Sequence, residues 1–195
     1  MGDADVLIVR HPETLANVEG RFVGRGESPY TERGRRQVGL LAERIAAFRP
    51  EAVWSSPLAR AHDVAVAAAA ACGVTVTVDD RLSELDFGRA EGLTWPEIER
   101  AGLAFDYESV DRPVAPGGES RAQIEARVAA FTDDLVAAAG RHAVCTHGGV
   151  FRAMVVHLLG LRTSDIWAFH IRNGAVAHVS VTEGHGMIEE FRVHG

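Results

Sequence analysis

Short apolar runs, often β-branched, alternate along this chain with longer segments whose apolar positions recur every three or four residues, as strands separated by helices do. The runs near residues 5–9, 52–56 (AVWSS), 74–78 (VTVTV) and 142–146 (HAVCT) predict four strands, each short enough to be central in a sheet covered on both faces. The intervening segments carry helix start and stop signals. Thr31 caps a helix running to about Phe48, and Ser56-Pro57 opens another that Gly73 closes. Ser120-x-x-Gln123 is a capping box for a long helix ending at Gly140, and the segment after His147 runs apolar to Gly160. The alanine-rich run at 65–72 reads as a closely packing helix, because alanine has the highest helix propensity.

This alternation predicts an α/β fold: a three-layer, mostly parallel, doubly wound sheet with helices on both faces. The tail, AVAHVSV and MIEEFRV around TEGHG, predicts a hairpin supplying antiparallel edge strands. Residues 86–119, with Pro96, Pro113, Pro116 and Gly117-Gly118, interrupt the alternation and predict a lid-like insertion after the third strand. Thr94-x-x-Glu97 places one short helix in it. Without repeats or linkers, residues 1–195 read as one domain.

Composition narrows the function. A net charge of -7 argues against a non-specific nucleic-acid binder, so an anionic ligand must be captured by a local cluster of cations. Cys72 and Cys145 form no Cys-x-x-Cys pair, and their apolar surroundings predict buried free thiols. The opening MGDADVLIV is acidic where a signal peptide is basic, and no run is long enough to span a membrane. The expectation is a soluble, cytoplasmic protein with no membrane or nucleic-acid partner.

In a doubly wound sheet, ligands bind beyond the carboxyl ends of the strands. Arg10 and His11 follow the first predicted strand, and Ser55, Ser56 and then Arg60 follow the second. Glu84 and Asp86 come after the third, and THGGV with His147 after the fourth. Each alone has a bland reading: a solvated loop, a surface arginine, a glycine-containing turn. Together they suit phosphoryl transfer. Arginine presents a permanently charged fork to phosphate oxygens, a neutral histidine can attack phosphorus, and a carboxyl group can protonate the departing alkoxide. The other histidines show no metal-ligand spacing: His157 reads as a packed or partly buried helix residue, and His170, His178, His185 and His194 are scattered. Arg33, Arg35 and Arg36 read as a solvated helix face, and no nucleotide-binding glycine loop occurs.

These residues resemble the histidine phosphatase superfamily in its phosphoglycerate-mutase-like branch. The resemblance runs through RHPETLANVEGRFVG (10–24), YTERGRRQ (30–37), SSPLARA (55–61), LSELDFGRAEG (82–92), PGGES (116–120) and THGGVFR (146–152). It implies that His11 becomes a phosphohistidine, that Arg10, Arg60 and His147 hold phosphoryl oxygens, and that Glu84 is the general acid and then the base for water. Asn17, the backbone of Val23 and Gly24, and Gly148 match substrate-binding positions. The resemblance implies no metal and no cofactor. Its departures are Pro12 where glycine is usual, which removes a backbone donor next to His11, Val23 where a polar residue is frequent, and Val64 where threonine is common.

Mutases of the family hold a second acidic group with a basic stretch after the catalytic glutamate. Residues 93–119 contain only Arg100 and Arg112 against six acidic residues, which favours a phosphatase acting on a small phosphorylated metabolite. Phe22, Val23, Phe87, Trp95, Phe105 and Tyr107 are candidates for an apolar wall around the leaving group, or for packing beneath the lid. Members similar in length and tail are α-ribazole phosphatase-like and broad-specificity enzymes, with a sugar-phosphoglycerate phosphatase similar through PGGES. Mutase-type transfer and a non-catalytic phosphate-binding module, supported only by Pro12, stay as alternatives. The edge hairpin leaves room for a homodimer.

Overall fold

The computed structural model describes residues 3–195, apart from the side chains of Thr163 and Trp167. Six strands form one sheet: β1 (Ala4–Arg10), β2 (Ala52–Ser55), β3 (Val76–Val78), β4 (Gly140–Thr146), β5 (Ala175–Thr182) and β6 (His185–Val193), in the order β3-β2-β4-β1-β5-β6. The first four run parallel, β5 runs antiparallel to β1, and β6 runs antiparallel to β5. The helices are α1 (Leu15–Glu19), α2 (Glu32–Phe48), α3 (Ala59–Cys72), α4 (Trp95–Arg100), α5 (Arg121–Ala138) and α6 (Gly148–Leu158).

The sheet is buried on both sides, which is why its inner strands are continuously apolar. In β1, Val6 and Ile8 join one core with α5, α6 and the insertion, while Leu7 and Val9 join the other with α2 and α3. Leu7 and Ile8 have no exposed surface, so truncating either to alanine would cost about 2–5 kcal/mol. The alanine run of α3 belongs to the second core, where Ala61, Ala65 and Ala68 are fully buried.

Several expectations change. The third strand is not central: three residues long, it pairs only with β2 and ends the sheet, because its outward residues Thr77 and Val78 find no cover. Ser56 does not cap α3, which starts at Ala59 with Leu58 at the cap position, so the Ser56 hydroxyl is turned to other use. Cys145 is buried, its thiol pushed up to about 12 by loss of solvent, but Cys72 ends α3 and is only partly covered. His157 is exposed, with its Nε2 2.7 Å from Asp133. The short α1, set by reciprocal capping between Thr14 and Asn17, was not anticipated by the apolar pattern.

The insertion is pinned down, with Phe87, Ala90, Ile98, Val114 and Ala115 buried in the α5–α6 core. Its two motif segments lie backbone against backbone: Arg89 N–H donates to Pro116 O at 3.0 Å and Glu119 N–H to Asp86 O at 2.9 Å. A Cβ on Gly88 would fall 2.4 Å from the Gly118 nitrogen, and one on Gly118 would fall 2.5 Å from Asp86 O. Glycine at both positions is therefore a condition for the approach. Arg127 on α5 fastens the same region, forking on to Glu119 and donating to the carbonyls of Arg81 and Glu84.

Candidate active site

The carboxyl ends of β1 and β4 lie side by side, with Arg10 paired in register with Thr146, so the next residues, His11 and His147, emerge together. Their ring centroids are 5.2 Å apart, and both rings are almost wholly buried. His11 Nδ1 lies 2.7 Å from Pro12 O. A carbonyl can only accept, which assigns the proton to Nδ1 and leaves Nε2 with its lone pair. The substitution of proline for the family's glycine thus removes a backbone N–H but keeps the acceptor that sets the tautomer of His11. Burial, then the charges of Arg10 and Arg60, hold the His11 pKa well below the usual histidine value, so the ring is neutral near pH 7.

His147 is held neutral in the same direction by burial, His11, Arg60 and Arg10. Its Nε2 lies 2.7 Å from the Ser56 hydroxyl, which also accepts the Leu58 N–H at 3.2 Å. A hydroxyl can donate to Nε2 or accept from it, and when it donates the ring proton lies on Nδ1. That Nδ1 is buried with no hydrogen-bond partner among the described residues, and so is Nε of Arg10.

Arg10 and Arg60 remain charged in this setting. Burial lowers the Arg10 pKa to about 10, still well above neutrality. Arg10 donates to Ile171 O at 2.5 Å, and Gly148 is small enough to lie against it, since a Cβ there would come within 3.2 Å of the guanidinium carbon. Arg60, 4% exposed at the start of α3, donates to the carbonyls of Gly24 and Gly26 at 2.6 Å each. Gly24 therefore enters the site as an acceptor that orients Arg60. Its φ of +52° and the 2.1 Å from its ideal Cβ to Glu91 Oε1 exclude a larger residue. Val23 lines a shallow groove with Leu15, Arg21, Gly26 and Glu91, and its carbonyl closes a turn to Gly26 N–H at 2.8 Å.

Glu84 follows the three-residue helical turn Asp80–Leu82, and its carboxylate accepts the Leu85 N–H at 3.0 Å and the Gly149 N–H at 3.2 Å. It thus sits on the N-terminus of α6, where the helix dipole favours an anion. Asp86 serves the loop, accepting the Gly88 N–H at 2.7 Å, and Ser55 donates to Ser56 O. Asn17 turns its amide oxygen towards Thr14 N–H, the Thr14 hydroxyl and Asn173 Nδ2, which leaves its own amide nitrogen as the donor for a ligand.

A cavity of about 200 Å³ opens beside Glu84, lined by Arg10, Leu85, Tyr107, Arg121, Ile124, Glu125, Arg152 and Ile166 together with Gly148 and Gly149. Of the aromatic residues expected around a leaving group, Tyr107 reaches it. Phe22, Phe87, Phe105 and Trp95 pack on one another, with Phe22 and Phe105 centroids 4.8 Å apart, and the three phenylalanines belong to the α5–α6 core.

Asn173, Arg121 and Arg152 have no role in the sequence reading. Asn173 donates to the carbonyls of His11 and Pro12 at 3.3 Å and to Asn17 at 3.0 Å, bracing the His11–Pro12 loop from just ahead of β5. Its signal was the Asn-Gly pair ahead of a strand. Arg152 was detectable as the residue one helical turn after Gly148, on the same face of α6. No group of three histidine, cysteine or carboxylate side chains among the described residues is arranged to hold a metal ion, and no helix among them is long and apolar enough to cross a membrane.

Phosphoserine phosphatase 1 of Hydrogenobacter thermophilus is 29% identical over 196 residues, covering 96% of this chain and 92% of its own. A protein named as a probable phosphoglycerate mutase of Yersinia pestis is 32% identical over 185 residues, covering 91% and 85%. The solved structure of a mycobacterial glucosyl-3-phosphoglycerate phosphatase, bound to VO3, superposes with a TM-score of 0.86 at 27% identity, covering 98% of this chain and all of that one. The sequence profile of the histidine phosphatase superfamily, branch 1, matches residues 6–194. The chain belongs to that superfamily and is a phosphoric monoester hydrolase.

Proposed function

We propose that the protein hydrolyses small phosphomonoesters through a phosphohistidine on His11, without a metal ion. His11 Nε2 attacks phosphorus; the N–P bond forms as the ester P–O bond breaks, and Glu84 gives its proton to the departing alkoxide. A water then attacks the phosphohistidine, Glu84 takes the water's proton, and the N–P bond breaks to free phosphate and neutral His11. Arg10, Arg60 and His147 hold the equatorial oxygens, where charge stabilisation supplies most of the catalysis of phosphoryl transfer.

The observation that carries this reading is a pair of buried nitrogens, Nε of Arg10 and Nδ1 of His147, neither with a hydrogen-bond partner among the described residues. Each unsatisfied buried donor costs about 1–3 kcal/mol. A phosphoryl group bound against His11 would accept from both. Hydrolysis is favoured over mutase-type transfer because the two arginines of residues 93–119 are engaged elsewhere: Arg112 pairs with Asp106 at 2.9 Å and Arg100 donates to Pro96 O at 3.2 Å.

A panel of small phosphomonoesters assayed with and without a strong chelator tests the proposal. It predicts release of inorganic phosphate at equal rates in both conditions. Phosphoryl exchange between phosphoglycerates without phosphate release would favour the mutase reading, and absence of any turnover would leave only a phosphate-binding module.

A further inference from the structure

The stretch Thr31–Gln37, TERGRRQ, at the start of α2 takes no part in the chemistry above, yet it closes on one residue, Glu13, two positions after the nucleophile. Thr31 N–H donates to Glu13 O at 3.2 Å, and the Thr31 hydroxyl donates to Glu13 Oε1 at 2.8 Å. Arg33 pairs with Glu13 Oε2 at 3.2 Å. Gly34 lets the helix lie against the turn, since a Cβ there would fall 1.9 Å from Glu13 O. Gln37, with no exposed surface, accepts the Glu13 N–H at 2.9 Å.

The Gln37 amide has one orientation that satisfies its neighbours, because an N–H needs its oxygen and two carbonyls need its nitrogen. Its nitrogen donates to His194 O at 2.8 Å and to Asn173 O at 3.4 Å. Gln37 therefore ties the turn after β1 to the residues just ahead of β5 and just after β6. Pro12 carries this grip to the nucleophile. Proline has no N–H, so the backbone donors of the turn are His11 N–H, held by Thr146 O at 2.9 Å, and Glu13 N–H, held by Gln37. Pro12 C=O and Glu13 N–H belong to one rigid peptide plane, so the group that holds the N–H also aims the carbonyl. That carbonyl is the one 2.7 Å from His11 Nδ1.

We propose that Gln37 is a positioning residue for the nucleophile: by holding Glu13 N–H it orients the Pro12–Glu13 peptide, whose carbonyl keeps the His11 proton on Nδ1 and leaves Nε2 free to attack. The inference deepens the phosphatase reading above and rests on it. It gives the start of α2 a role in the site and accounts for a proline beside the nucleophile.

The test reads tautomer and rate separately. NMR of the wild type carrying nitrogen-labelled histidine should show His11 protonated on Nδ1 and bare on Nε2 near neutral pH. Gln37→Met keeps the volume and loses the amide. It should shift these signals towards a mixture of tautomers and lower kcat per folded molecule by about 10- to 100-fold, the scale of a catalytic group misplaced by about 1 Å. The loss should be equal on alkyl phosphates and p-nitrophenyl phosphate, and inhibition by inorganic phosphate should be kept, because Arg10, Arg60 and His147 are untouched. Gln37→Glu, which keeps an acceptor for Glu13 N–H, should lose less on both readouts. Gly34→Ala pushes on Glu13 O from another residue of α2 and should reproduce the tautomer shift and the loss of rate, including where Gln37→Met does not fold. Wild-type His11 protonated on Nε2, or wild-type signals and rates in Gln37→Met or Gly34→Ala, would overturn the role of Gln37 while leaving the phosphatase intact. So would a loss of phosphate binding in step with the rate, which is the mark of general structural damage. No turnover of any ester by the wild type would overturn the phosphatase reading and this inference with it.

Discussion

The two halves of the site are built differently. The phosphoryl half is made where parallel strands end: register between β1 and β4 delivers His11 and His147 together, and Arg60 enters on the first turn of α3. The leaving-group half is assembled from the segment after β3, the insertion, α5 and α6, which contribute Glu84, Tyr107, Arg121 and Arg152 in turn. Substitutions in the first half should slow all substrates alike, because every substrate shares the phosphoryl group. Those in the second should discriminate among leaving groups.

Glu84→Gln gives the largest contrast between leaving groups. Loss of a general acid costs about 10²- to 10⁴-fold, and the loss should be near the top of that range for alkyl phosphates, whose alkoxides are poor leaving groups. For p-nitrophenyl phosphate, which needs little protonation, the loss should be under about tenfold. Equal losses on both esters, measured as kcat/KM, would show that Glu84 acts in binding rather than as the acid.

The same contrast explains what could be read from the sequence. A strand end places the next residue or two at a known edge, so Arg10, His11 and His147 were visible from local pattern, as was Arg60 on the helix behind Ser56-Pro57. Asn173 and Arg152 had only weak local signals, an Asn-Gly pair and helical spacing after Gly148, because their roles arise from chain crossings: Asn173 meets His11 and Asn17 across more than 150 residues, and Arg152 meets the cavity only because α6 packs beside α5. The alternation of strands and helices was legible because it reflects burial on both faces. The position of β3 was not, since a Val-Thr alternation is compatible with an edge or an interior strand until its neighbours are known. Pro12 looked like a defect in sequence, yet the atom that positions His11 is its carbonyl, which proline retains.

Gly149→Ala probes the join between the halves. A Cβ there would lie 2.4 Å from Glu84 Oε1, so the carboxyl group must move off the α6 N-terminus. Misplacing a catalytic group by about 1 Å can cost on the order of 100-fold, and a loss of about 10- to 100-fold is expected on alkyl esters, with less on p-nitrophenyl phosphate. A variant with wild-type rates on both would place the acid elsewhere.

The smallest effect belongs to the phosphoryl half in the absence of substrate. His11 and His147 have pKa values lowered in the folded protein, so above about pH 6.5 they are neutral folded or unfolded and stability should not depend on them. Below that, the unfolded chain takes up protons that the folded chain resists, and stability should fall by about 1.4 kcal/mol per pH unit for each histidine. Urea midpoints should therefore decline between pH 6.5 and 5, with a shallower decline in His11→Gln. The same slope in both proteins would mean that His11 is not held neutral.

The central claim is the covalent intermediate on His11. In a rapid-quench experiment with an ester carrying a labelled phosphoryl group, in chelator, the wild type should show a burst of protein-bound label that is lost in acid, persists in base and maps by mass spectrometry to His11, while His11→Ala shows none. Steady phosphate release by the wild type with no such label, or label on another residue, would contradict the account.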